Sequence, residues 1–346
     1  MIYFRVDMNN IIATGHVMRC LSIASAAKSK GIECTFFLSD SQAKELIESK
    51  GFQTIVLNSQ WNNLEGELPN LKRYIKELNV KNLIVDTYQV TFKYLECLSA
   101  ITRTFYIDDM NKFIYPVYGI ICYANYWKKF NYQFCYENAV REKKISFVPK
   151  FFEGCSYVPL REEFQMLPDK IISEKIDNVL ILSGGTDNLN IFESILGALD
   201  LGKYEEVNVV CGKYYNHYYD LKKKFSKYPQ VYIHKQINNL IHYMQKADLA
   251  ISAGGTTLYE LCAVGTPTIS YSFVDNQLDN VNQFALDGVI TYAGDLRCDG
   301  VYENIHNIIE KDYFKQEIRK QLSQKMRVFV DGFGATRIVE QILKNK

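Results

Sequence analysis

Short apolar runs alternate with longer amphipathic stretches along the whole chain. Ile2 to Val6 predicts a first strand, His16 to Ser29 a helix stopped by Gly31, and Glu33 to Leu38 a second strand. Ser39 or Asp40 is then expected to cap a helix through Ser49, and Thr54 to Leu57 reads as strand. Leu71 to Leu78 predicts a helix, Leu83 to Val85 a strand, Phe92 to Ala100 a helix and Thr104 to Ile107 a strand. Phe113 to Pro159 is less regular, and its apolar run Tyr118 to Cys122 reads as the last strand of this series. Strands and helices in strict alternation build a parallel sheet covered on both faces.

The charged segment Arg161 to Lys175, with Pro168 inside it, reads as a linker, and the alternation restarts behind it. Strands are predicted at Asn178 to Leu182, Val207 to Val210, Val231 to Ile233, Asp248 to Ser252, Thr268 to Ser272 and Val289 to Tyr292. Helices are predicted at Asn190 to Ala198, His217 to Ser226, Leu240 to Ala247 and Thr256 to Val264, the last closed by Gly265 and Pro267. Ile305 to Lys346 is largely helical, with a break at Asp331 to Gly334. The expected architecture is α/β, with two Rossmann-like domains facing a cleft, an arrangement called GT-B. The expected boundaries are 1–165, 176–325 and a C-terminal helix over 326–346. A single large doubly wound sheet is the structural rival.

Composition narrows the function classes. A chain of 346 residues is long enough for two cores, and 40 basic against 39 acidic residues leave a net charge of +1. That balance lacks the basic excess of a nucleic-acid footprint, so no nucleic-acid partner is expected. The nine cysteines show no CxxC pair and no metal spacing, which fits reduced thiols in a cytoplasmic protein. The start MIYFRVDMNN has no apolar signal core and no run reaches membrane-spanning length, so no stable membrane insertion is expected. No metal and no cofactor are expected either. Nothing in the sequence speaks to oligomeric state.

Candidate chemistry gathers where strands end, which is where doubly wound sheets bind ligands. Arg5 and Asp7 end the first strand, Gly15 gives room at the following turn, and His16 opens the helix with Arg19 one turn on. A helix N-terminus disfavours a protonated imidazole, so His16 there suits a proton acceptor. Packing or capping is the bland alternative. Asp86 and Tyr88 follow the strand Leu83 to Val85. Asp108 and Asp109 follow Thr104 to Ile107, where a capping role is the more ordinary one. The spacing does not fit G-x-G-x-x-G, so no dinucleotide is read.

Two glycine turns mark the second half. Gly184-Gly185 precedes Thr186 and Asp187, and Gly254-Gly255 precedes Thr256, Thr257 and Glu260. A strand, a glycine turn and a helix start together present free backbone N–H groups to an anion, and Glu260 can accept hydrogen bonds from ribose hydroxyls. The rival reading is that Thr257 and Glu260 form a capping box. Asn276 and Gln277, just past the strand Thr268 to Ser272, suit sugar hydroxyls or phosphate oxygens.

The order R-x-D, G-H-x-x-R, D-x-Y, D-D, G-x-x-Y-x-x-L-R-E-E-F (from Gly154), G-G-T-D and D-N-Q resembles the bacterial UDP-2,4-diacetamido-2,4,6-trideoxy-β-L-altropyranose hydrolases of pseudaminic acid biosynthesis. The second half is also similar to the nucleotide-binding half of the glycosyltransferase that makes the lipid II disaccharide. The first resemblance implies metal-independent, inverting hydrolysis of a UDP-sugar. It makes His16 the base and has Tyr88 and Asn276 position substrate or water. It also implies that Gly255, Thr257 and Glu260 hold UDP. Ala13 stands where glycine is common in that family, and Thr87 where histidine is common. Two other readings remain: an inverting UDP-sugar glycosyltransferase of the same fold, and a nucleotide-sugar binding protein without chemistry.

Overall fold

The computed structural model describes residues 1–183, 190–212, 215–235, 237 and 239–344. Its strands lie in two separate sheets, which removes the single-sheet alternative. The chain divides into one unit of Met1–Glu162 with Gly332–Lys346 and a second of Glu163–Asp331.

In the first unit the strands are β1 (Ile2–Val6), β2 (Cys34–Leu38), β3 (Gln53–Val56), β4 (Asn82–Asp86), β5 (Arg103–Ile107), β6 (Gly119–Cys122) and β7 (Lys150–Glu153). They pair in parallel in the order β3-β2-β1-β4-β5-β6-β7. The helices are α1 (Gly15–Ser29), α2 (Lys44–Ser49), α3 (Leu64–Glu77), α4 (Phe92–Ser99) and α5 (Tyr132–Arg141). Every residue of β1, β2 and β4 is buried, as a parallel sheet covered on both faces requires. Strand order reverses between β1 and β4, where Val6 pairs with Asp86. The ends of these two strands therefore flank an open crevice.

The second unit repeats the plan. Its strands are β8 (Asn178–Leu182), β9 (Glu206–Cys211), β10 (Val231–Lys235), β11 (Leu249–Ala253), β12 (Thr268–Ser272) and β13 (Thr291–Asp295), in the order β10-β9-β8-β11-β12-β13. Its helices are α6 (Ile191–Ala198), α7 (Tyr218–Phe225), α8 (Leu240–Lys246), α9 (Thr257–Val264), α10 (Asp275–Leu286), α11 (Val301–Ile308) and α12 (Gln316–Phe329). Here the order reverses between β8 and β11, with Leu182 opposite Ser252. The last helix, α13 (Gly334–Leu343), belongs to the first unit and packs on α1.

Several elements differ from the sequence reading. Helix α2 begins at Lys44 without a side-chain cap; the Asp40 carboxylate accepts from the Gln42 N–H instead, at 2.8 Å. Helix α3 starts seven residues earlier than expected, because Asn63 caps it through the Gly66 N–H and Pro69 is carried within it. The first sheet does not end at β6: α5 and β7 follow it. The final strand of the second sheet lies at Thr291–Asp295 rather than Val289 to Tyr292. Among the described residues no helix is long and apolar enough to cross a membrane.

Candidate active site

At the β1/β4 reversal the first unit assembles charged side chains from three strand ends. Helix α1 brings His16 over the end of β4, where the residue is 7% exposed. His16 Nδ1 lies 2.6 Å from Asp86 Oδ1. Burial alone would push the Asp86 carboxyl up, but Arg19 and His16 together hold it below the usual carboxylate range. An ionised Asp86 at that distance requires the proton to be on Nδ1. The lone pair is then on Nε2, the arrangement in which a carboxylate orients a histidine base.

Arg19 forks onto Asp86, with Nε 2.6 Å from Oδ2 and Nη2 2.5 Å from Oδ1. Its Nη1 donates to Tyr123 Oη at 2.7 Å and to Asp109 Oδ2 at 3.2 Å. The Tyr88 hydroxyl donates to the same Asp109 oxygen at 2.8 Å, and its ring meets His16 edge-on with centroids 4.7 Å apart. Burial first, then the Asp109 charge, push the Tyr88 phenol up, so it stays a donor. The two adjacent aspartates have parted roles. Asp108 is buried, accepts from the Met110 and Asn111 N–H groups and from Tyr115, and belongs to the turn. Asp109 belongs to the His16 cluster.

Arg5 and Asp7 sit beneath this cluster as a strut. Arg5 is fully buried and its donors are taken: Glu67 receives Nε at 2.6 Å and Nη2 at 2.7 Å, and Asp7 receives Nη1 at 2.5 Å. Asp7 also accepts from the Ser39 N–H at 2.7 Å, and Glu67 from Tyr94 and Ser59. With every donor nitrogen of Arg5 engaged inside the protein, its geometry is that of support rather than of ligand contact. The loop that follows β1 is turned by Asn9, whose side-chain Oδ1 accepts from the Ile11 and Ile12 N–H groups. Ala13 there has φ +55°, a left-handed conformation that glycine adopts freely and other residues rarely do. A Cβ at Gly15 would meet nothing within 4 Å.

The second unit presents backbone at its reversal point. A cavity of about 540 Å³ is lined by Ser183, Gly255, Thr256, Thr257, Asn276 and Gln277, with apolar walls that include Leu182, Leu240 and Phe273. The starts of α9 and α10 both reach it. Helix α9 has no side-chain cap, so the box expected from Thr257 and Glu260 does not form. Glu260 is half-buried in the first turn and does not line the cavity. The two glycines differ. A Cβ on Gly254 would lie 2.2 Å from Val281 Cγ1, whereas one on Gly255 would meet nothing within 4 Å. Packing against α10 therefore demands glycine at 254, while the surface at 255 is left open towards the cavity. Asn280 of α10 clamps the turn, donating to the Gly254 carbonyl at 3.1 Å. Gln277 accepts from the Phe273 N–H at 3.0 Å, and Asn276 is exposed at the rim. Gly184, Gly185 and Thr186 lie outside the described residues.

Glu67 and Asn280 have no role in the sequence reading, and Asp109, named there as a strand-end carboxylate, was given capping as its more ordinary role. Glu67 and Asp109 act across 62 and 90 residues on Arg5 and Arg19, which leaves no local signal. Asn280 was legible in principle, one helical turn after Asn276 in an amide-rich helix start.

Comparison with known proteins agrees with this division. Residues 178–333 match the glycosyltransferase family 28 C-terminal domain. The spore coat polysaccharide biosynthesis protein SpsG of Bacillus subtilis is 28% identical over 195 residues, 55% of this chain and 57% of that protein. The UDP-N-acetylglucosamine--N-acetylmuramyl-(pentapeptide) pyrophosphoryl-undecaprenol N-acetylglucosamine transferase of Campylobacter fetus is 28% identical over 229 residues, 60% of this chain and 64% of that one. The chain thus spans between half and two thirds of the length of these relatives. Among solved structures, Acinetobacter baumannii MurG superposes with a TM-score of 0.69 at 14% identity, covering 99% of both chains. The two parallel-sheet, Rossmann-like domains are those of the GT-B fold.

Proposed function

We propose that this chain is a nucleotide-sugar-using enzyme that transfers a glycosyl group from UDP to an acceptor hydroxyl with inversion. The observation that carries the reading is the His16–Asp86 contact, which leaves the lone pair on Nε2, where it can serve as a base. The acceptor hydroxyl gives its proton to Nε2, and its oxygen forms a bond to the anomeric carbon. The bond from that carbon to the diphosphate breaks, and the diphosphate keeps the electron pair. Tyr88 and Asn276 position the reacting groups. The second unit holds the leaving group: the N–H groups at Gly255, Thr256 and Thr257 and the starts of two helices favour an anion there. Gly255 supports this role, since among the described residues nothing packs where its Cβ would lie. Gly184, Gly185 and Thr186 extend the proposed phosphate site, Gln277 contacts the sugar and Glu260 the ribose. Arg5, Asp7 and Gly15 shape the His16 loop. The names of the matched relatives, a UDP-N-acetylglucosamine transferase and a polysaccharide biosynthesis protein, point to glycan assembly.

Water in place of the hydroxyl is the second reading, favoured by the G-H-x-x-R and L-R-E-E-F runs. The products are then UDP and the free 2,4-diacetamido-trideoxy sugar of pseudaminic acid synthesis. One experiment separates the readings: UDP release from a panel of UDP-sugars, UDP-N-acetylglucosamine among them, with and without acceptor sugars. Transfer predicts a sharp rise in release when acceptor is added. Equal release without acceptor selects hydrolysis. Binding without release under any condition means a carrier or sensor and refutes both.

A further inference from the structure

The contacts around His16 close into a ring of five side chains. His16 holds Asp86, Asp86 is forked by Arg19, Arg19 reaches Asp109, Asp109 accepts from Tyr88, and the Tyr88 ring returns to His16. Arg19 is the only member that touches both carboxylates of this ring. Its side chain is 12% exposed. From these contacts we infer that Arg19 is a positioning residue that sets two groups at once: the tautomer of His16, through Asp86, and the hydroxyl of Tyr88, through Asp109. This rests on the proposed role of His16 as base.

The physical case is in the geometry of the fork. Two parallel N–H donors fix the plane of the Asp86 carboxylate, and that plane presents Oδ1 to His16 Nδ1. Arg19 Nη2 also lies 3.0 Å from Nδ1. A guanidinium has no lone pair to receive a hydrogen bond, so it cannot replace Asp86 as acceptor. The remaining nitrogen, Nη1, ties Asp109 and Tyr123 to the same rigid plane. A lysine at this position keeps the charge but is a single point on a flexible stem, and it cannot fork onto Asp86 while reaching Asp109. A purely stabilising ion pair would make no demand on the plane.

The test uses Arg19→Lys, Tyr88→Phe and the double variant in the full chain. Circular dichroism and thermal melts, with a Tm expected within a few degrees of wild type, report that both units of each variant are folded, and calorimetry with UDP reports the second crevice separately. Nitrogen-15 spectra of histidine-labelled protein, assigned with His16→Asn, read the tautomer without substrate. Wild type is expected to carry its proton on Nδ1, and Arg19→Lys to show a mixture of tautomers. With the UDP-sugar that turns over fastest in the panel, Arg19→Lys should lose kcat on the order of a hundredfold with KM little changed. The double variant should lose little more than Arg19→Lys alone, because the Tyr88 hydroxyl is already misplaced. An unchanged His16 tautomer in Arg19→Lys, or losses that multiply in the double variant, overturns the inference. Full turnover in His16→Asn fails the base reading instead and leaves the tautomer result standing.

Discussion

The two units share a topology and differ in what they put at its reversal point. In the first, the β1/β4 crevice is filled with paired side chains: His16, Asp86, Arg19, Asp109 and Tyr88, with Arg5, Asp7 and Glu67 below. In the second, the β8/β11 crevice is a cavity of backbone, hydroxyls and amides. The same contrast holds for two cations drawn in from solvent, the buried Arg5 and the half-buried Lys170. Arg5 is matched by two carboxylates, whereas Lys170 is held by the carbonyls of Met244, Gln245 and Ala247 where α8 ends. The two sheets thus present different groups at the same topological point: titratable side chains with set partners, which suit proton transfer, in the first, and oriented dipoles, which suit an anion, in the second.

The largest expected effect separates the two directly. His16→Asn should lower turnover by roughly 10²- to 10⁴-fold, the span of general-base contributions. On the proposed reading the second unit holds UDP, so UDP affinity should stay within about twofold. Parallel loss of UDP binding, measured by calorimetry, would mean that the two crevices are not functionally separate.

Next comes the strut. Glu67 is a fully buried carboxylate between Arg5, Tyr94 and Ser59. Glu67→Ala leaves Arg5 with Asp7 alone, and breaking such a pair costs about 3–5 kcal/mol. Chemical denaturation should show that loss. A change below about 1 kcal/mol would show that the charge network in the first unit does not carry the loop above it.

How far all this was readable depended on distance along the chain. The β-strands were legible because each is a short apolar run bounded by glycine or polar residues, and β1, β8 and β12 fell where the pattern put them. The start of α3 was hidden by Pro69 and Gly66, which argue locally against a helix that its packing nevertheless supports. The edge strand β7 was hidden because Phe113 to Pro159 mixes aromatic and charged residues without a clear period. At the site, His16, Asp86 and Tyr88 stood out because polar residues just after an apolar run mark a strand end. Glu67 did not, since a helical glutamate normally faces solvent and its partner is 62 residues away. The capping box failed for a different reason: the motif was present, but the chain begins α9 one residue from where the box would need it.

Lys170 extends the contrast to pH. Burial pushes its ammonium down to about 8, only partly offset by Asp248. In the unfolded chain the same group titrates near the ordinary lysine value of about 10.4. Between these two values the unfolded state holds more protons, so stability rises with pH there. The difference in Tm between wild type and Lys170→Met should therefore move in favour of wild type between pH 8 and about 10. A flat difference would mean that the α8 carbonyls solvate the charge as fully as water does in the unfolded chain.

The adjacent glycines give the finest division, because one serves packing and the other serves the cavity. Gly254→Ala places a methyl 2.2 Å from Val281 Cγ1, with the Tyr271 carbonyl at 3.4 Å on another side. Overpacking of this kind costs about 1–3 kcal/mol, so Tm should fall. Gly255→Ala meets no atom of the described residues within 4 Å, and Gly255 has no positive φ to strain. Its Tm should stay at the wild-type value. If the backbone at 255 lies against a phosphate, the added methyl stands where an oxygen must approach, and UDP affinity should drop about tenfold, or about 1.4 kcal/mol. Calorimetry with UDP, run beside thermal melts of both variants, reads the two effects separately. A Gly255→Ala protein that binds UDP as tightly as wild type would place the phosphates away from this turn and leave Gly255 without a role in the second crevice.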